Sequence, residues 1–179
     1  MFVIFKNLIL VIVANSGFLA AVIALGSFVY SSIRQRAIEK NSMYQQLELA
    51  SIEFFRWESS NRVELSKIRE KQSYDSSDDR KLLETYCVQA MNLFELCIHN
   101  KKTRTLPSKV FGSWLPWIYE FAHEPGFDKM WPEIKLNYLP ECRKVMESAI
   151  ENKKDDFIIE MCKKFYLKTD DWIEHEVNK

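Results

Sequence analysis

Glycine and proline are scarce in this chain, 4 and 5 among 179 residues. Sandwiches and barrels need many tight turns built from those two residue types. Their shortage therefore argues for long helices with few connections. An excess of charge of one sign is missing too: 25 Lys and Arg balance 25 Asp and Glu. A neutral chain offers no broad basic face, so nucleic acid is not an expected partner. The four cysteines, Cys87, Cys97, Cys142 and Cys162, contain no C-x-x-C pair, which argues against a zinc knuckle or a thioredoxin-like redox motif. In helical surroundings each acts as a small hydrophobe, and unpaired structural cysteines suit a reducing compartment. There is no G-x-S-x-G and no glycine-rich phosphate loop, so an enzyme of a familiar motif class is not expected. Nor is any metal or cofactor.

What the chain does have is aromatic area and one long apolar run. It carries 12 Phe, 7 Tyr and 5 Trp, and large rings bury enough surface for a domain of this size to build a core. Residues 8–30, LILVIVANSGFLAAVIALGSFVY, hold no charged residue. A helix of that length crosses a hydrocarbon core of about 30 Å. The run is too long, and its start too weakly basic, for a cleaved signal peptide. Only Lys6 precedes it, whereas Arg34, Arg36 and Lys40 follow against Glu39. The positive-inside tendency places the N-terminus outside and the following domain in the cytoplasm. Within the run Ser16, Ala20 and Ala24 recur every fourth residue, with Gly17 and Ala21 beside them. Such spacing lets a second helix approach closely, although ordinary Ala and Gly usage in a lone anchor accounts for it equally simply.

Beyond the span the expected fold is all-α: one N-terminal transmembrane helix, then a compact bundle of about four to six helices. Three regions follow, an anchor and stalk (1–40), the bundle (41–152) and a C-terminal helical extension (153–179). An amphipathic helix with a kink near residues 59–61 is expected first. Ser76, three residues before Asp79, fits a helix start. The helix it opens is apolar on nearly every face from Tyr86 to Ile98 and should be central. Gly112 and Pro116 should kink the next helix. Glu124-Pro125-Gly126 reads as a turn, and Pro140 as a helix opener. Thr169-Asp170-Asp171 would cap a last turn holding Trp172 and Ile173.

Several residues invite a chemical reading. Glu95 lies inside the all-apolar helix, where a bare carboxylate is costly, and pairing with Arg56 among Phe54, Phe55 and Trp57 is the simplest relief. A functional carboxylate with a raised pKa, grouped with His99 and His123, is the sharper alternative. Arg143 is a further buried-polar candidate. Glu120-x-x-His123 has the spacing of half a di-iron site, but no second copy exists, and His123 is better placed as a helix end. Trp114, Trp117 and Trp131 form core or a pocket or partner groove.

The order Asn92-x-Phe94-Glu95, Val110-Phe111-x-x-Trp114, Phe127-x-x-x-Trp131 and then Arg143 resembles an uncharacterised bacterial family of small membrane-anchored helical proteins. The resemblance covers about residues 44–150. It implies a bacterial inner membrane and a cytoplasmic helical domain, and it brings no activity. The expectation is a membrane-tethered interaction module, an adaptor, regulator or subunit that binds a protein partner or itself. A membrane effector of a stress or phage-defence system, acting by oligomerisation, is the second possibility, and an enzyme around Glu95 the third.

Overall fold

The computed structural model describes residues 2–71 and 76–167, with the side chains of residues 2–20, 70 and 71 outside that description. Among the described residues every regular element is helical: α1 (Phe2–Ser60), α2 (Arg62–Lys71), α3 (Ser77–Lys102), α4 (Ser108–Ala122), α5 (Phe127–Ile134), α6 (Pro140–Glu151) and α7 (Lys154–Lys164), with a 3-10 turn at Lys135–Asn137. The chain forms two compact units, Met1–Asn41 and Ser42–Lys179.

In the first unit the backbone of the apolar run is helical. Val22, Ile23, Leu25, Phe28, Val29 and Tyr30 are all exposed, and a Cβ placed on Gly26 would meet no atom within 4 Å. Among the described residues no helix is long and apolar enough to cross a membrane. The expected span begins in residues whose side chains lie outside the description, as do Ser16, Gly17 and Ala20.

The second unit is the bundle: among the described residues it holds six whole helices and the last part of α1, one helical segment more than the expected four to six. The extra element arises at Asn61, where α1 stops and α2 starts. The Asn61 side chain donates to the Trp57 carbonyl at 2.8 Å, and its N–H is shared between the carbonyls of Trp57 and Glu58. A side-chain amide competing for helix carbonyls favours such a break.

α3 is central, packed by α2, α4, α5 and α6. Its N-terminus is closed as expected, with the Asp79 N–H donating to the Ser76 hydroxyl at 3.0 Å. Phe94, fully buried, meets Trp117 and Phe121 edge-on with ring centres 4.8 and 5.2 Å away. α4 continues through Pro116 to Ala122. Gly126, at φ 95°, makes the left-handed entry to α5 that glycine adopts without strain. Pro140 opens α6, where a missing N–H costs nothing. α7 lies on α4 and α6 and buries Phe157, Ile158, Met161 and Cys162. The expected turn at residues 169–173 lies outside the described residues.

Candidate functional site

Glu95 does not pair with Arg56. Arg56 faces solvent, since the turn of α1 that buries Phe54 directs Phe55 and Arg56 outward. Glu95 is half-buried, and its Oε1 accepts the Leu139 N–H at 2.6 Å. Leu139 is the N-cap residue of α6, which has no side-chain cap of its own from within the helix. A carboxylate is favoured there by the unpaired N–H groups and the positive end of the dipole. The residue expected to need a cation thus finds a helix end instead. Beside it lies a groove of about 400 Å³ lined by Ile98, His99, Lys102, Thr103, Glu141 and Cys142 among others. His99 is exposed rather than buried, because it sits in the last turn of α3. Lys102 is paired with Glu141 across the groove mouth.

Arg143 is half-buried on α6, and its buried Nε has no hydrogen-bond partner. His123 ends α4 as expected, its Nδ1 2.9 Å from the Tyr119 carbonyl oxygen. Glu120 turns instead to Lys154, at 3.2 Å. Among the described residues no group of His, Cys, Asp and Glu is arranged to hold a metal ion.

A further polar network was not singled out from sequence. It joins Glu58 at the end of α1, Arg69 on α2, Tyr86 on α3 and Glu124 in the α4–α5 turn. The Tyr86 hydroxyl donates to the Glu124 carboxylate at 2.9 Å. The Arg69 guanidinium lies 3.1 Å from Glu124 and 3.5 Å from Glu58, and its carbon stands 4.6 Å above the Tyr86 ring. Burial pushes the Glu124 carboxyl above its usual value, against the pull of Arg69 and the Tyr86 hydrogen bond. Burial opposes the Arg69 charge, yet attraction to Glu124 and Glu58 leaves it more firmly protonated than usual. Burial and the neighbouring Glu124 raise the Tyr86 phenol far above its usual range. The group is a clamp across four elements in which the buried Arg69 Nε is left without a hydrogen-bond partner, and Tyr86 was its one legible sign, since a buried phenol seeks a partner.

The three tryptophans do not form one site. Trp131 is buried, stacked between Phe127 at 5.6 Å and Tyr138 at 6.4 Å. Trp114 and Trp117 are half-buried on α4 with ring centres 5.2 Å apart. Phe55 of α1, 46% exposed, packs its ring at a tilt on Trp117 with centres 5.3 Å apart. The result is a solvent-facing aromatic row, Phe55–Trp117–Trp114, backed by buried Phe54 and Phe94.

No family model matches the chain, and no curated protein or solved structure is detectably similar to it.

Proposed function

We propose that the protein is a membrane-tethered helical interaction module, which binds a protein partner through the row Phe55–Trp117–Trp114. The observation that carries this reading is the row itself. Trp117 meets Phe55 on one side and Trp114 on the other at the surface, over a backing of buried core residues. Aromatic anchors on pre-ordered elements are what protein interfaces use as energetic centres.

Tethering is supported by the first unit. An uncharged helical stretch that leaves Leu25, Phe28 and Tyr30 more than half exposed is stable only where those side chains meet lipid or another apolar surface. The flanking charges favour a single-pass inner-membrane protein with its N-terminus outside and its bundle in the cytoplasm. The family likeness noted above points the same way. Glu95, engaged at the α6 terminus, serves better as a cap than as an acid–base group.

The test is affinity purification of the full-length protein from mild detergent, beside Phe55→Asp. Phe55 is half exposed, so the charge should be tolerated by the fold. The expected result is a stoichiometric protein partner present with the parent and lost with the variant. A partner retained by Phe55→Asp, or no partner for either chain, would overturn the reading.

A further inference from the structure

We infer that the end of the bundle formed by the α3–α4 loop and the close of α7 docks on an anionic lipid surface through Arg104, Lys109, Lys144, Lys163 and Tyr166. The inference rests on the membrane tether proposed above and adds a second contact with the same bilayer.

The balanced charge of the chain is unevenly spread over the second unit. α7 runs antiparallel to α4. Phe165, its C-cap residue, packs its ring 4.7 Å from Phe111 near the start of α4. Lys154, its first residue, meets Glu120 near the end of α4 at 3.2 Å. Lys102, at the end of α3, pairs with Glu141 in the first turn of α6. The C-terminal ends of α3 and α7 thus share one end of the bundle with the N-terminal ends of α4 and α6. Cations gather there. From Leu96 to Tyr119 the chain has no acidic residue, while Lys101, Lys102, Arg104 and Lys109 fall within that stretch. Lys163 and Lys164 close α7. Burial lowers the Lys164 ammonium below its usual value, and nearby Lys144 adds repulsion against the pull of Glu160 and Glu141. Acids gather at the other end, with Glu120 near the end of α4, Glu151 ending α6, and Asp155 and Asp156 in the first turn of α7.

Complementing helix dipoles accounts for only part of this pattern. Cations in the last turns of α3 and α7 are favoured by the carbonyl ends. Lys109 is the second residue of α4, at the positive end, where a cation is disfavoured. It is exposed, as are Arg104, Lys144 and Lys163, and none of the four forms a salt bridge among the described residues. The backbone adds a second sign. Arg104 and Tyr166 each follow a helix C-cap residue in the left-handed region, at φ 63° and 53°. Glycine is the usual residue there, and a side chain is strained. The two strained positions hold an exposed guanidinium and a phenol ring that is 93% exposed. Cations beside an amphipathic ring are the combination that an anionic bilayer interface attracts.

Position decides for lipid over another polyanion. Phe54 of α1 stacks on Tyr86 in the first half of α3, with centres 5.5 Å apart, and Glu58 pairs with Arg69, which lies over the same ring. An earlier turn of α1, at Ala50, shares a groove that extends to Leu96. This part of α1 is therefore antiparallel to α3, and residue 42, where the chain enters the second unit, lies toward the basic end. The entering chain comes from the uncharged run, so the tether holds a lipid surface at high effective concentration. Each cation near such a surface strengthens binding by about fivefold.

The experiment places the full chain in lipid nanodiscs, which leave both faces open to trypsin. Discs of phosphatidylcholine alone are compared with discs that also contain phosphatidylglycerol. The reading is the rate of cleavage after Arg104 divided by the rate after Lys153, an exposed site at the acidic end. Anionic discs should lower this ratio at least about tenfold, and raised salt should restore it. Lys109→Ser, Lys144→Ser and Lys163→Ser together should abolish the protection while cleavage after Lys153 stays unchanged, which reports an intact fold. An equal ratio on both discs, or protection that survives the triple substitution, would overturn the inference. So would equal protection on neutral discs by an added DNA duplex, which would assign the patch to nucleic acid. A chain that stays on neutral discs without protection on anionic ones keeps the tether and loses the docking. A chain that leaves neutral discs yet is protected on anionic ones keeps the docking and loses the tether.

Discussion

Glu95 and Glu124 are two partly buried carboxylates that meet the same central helix, and they are stabilised in opposite ways. Glu124 sits in a charged clamp, holding the Tyr86 hydroxyl and the Arg69 guanidinium at once. Glu95 forms no salt bridge among the described residues; it accepts one backbone N–H at the start of α6. The first arrangement ties four elements together and leaves buried charge behind when any member is removed. The second sets one helix on another with a single contact that water can replace. A carboxylate among apolar neighbours therefore signals a partner without telling which kind.

Mutations that separate the two arrangements should rank accordingly. Arg69→Met strands Glu58 and Glu124 without their cation and should cost about 2–3 kcal/mol in thermal or denaturant unfolding of the purified protein. A loss below about 0.5 kcal/mol would mean that the clamp contributes nothing. Tyr86→Phe removes one hydrogen bond while keeping the ring under Arg69, and should cost about 1 kcal/mol. Glu95→Ala, as loss of a cap, should also cost about 1 kcal/mol, whereas Arg56→Ala should stay within about 0.5 kcal/mol. A large effect from Arg56→Ala would restore the pairing that the structure does not show.

Acidity sharpens the comparison. The folded pKa of Glu124 is raised above its usual 4.5, so the folded state takes up this proton before the unfolded state does. The associated stability is fully present below the unfolded pKa and is lost as pH rises through the folded one. Between those two values, the parent should gain stability on acidification relative to Glu124→Gln, read as a difference in the slope of Tm against pH. Equal slopes would show that burial of Glu124 does not penalise its charge.

Local signals carried much of the fold. Ser76, Gly126 and Pro140 each mark a helix start because a capping hydroxyl, a left-handed backbone and a missing N–H act within one turn. The apolar stretch around Phe94 announced the central helix, since only a helix surrounded by others can be apolar on so many faces. The clamp was hidden because its members are far apart in sequence, Tyr86 and Glu124 by 38 positions, and periodicity carries no information across a bundle. Arg56 misled because neighbours in sequence point 100° apart on a helix, so its place beside buried Phe54 says little about its own burial. Trp131 was grouped with Trp114 and Trp117 by residue type alone, and packing divides them between core and surface.

The four thiols give the molecule one further property, useful to a spectroscopist. All are buried and unpaired. Burial pushes Cys87 and Cys142 up to about 12 and raises Cys97 and Cys162 as well. At neutral pH a thiol with that pKa is ionised roughly once in 10⁵ molecules, and only the thiolate attacks a maleimide. Cys87 and Cys142 are in effect dark to thiol labels while the chain is folded. A cysteine introduced at exposed Ser113 would take a dye or spin label far faster than Cys87 or Cys142 and would report on the aromatic row from its rim.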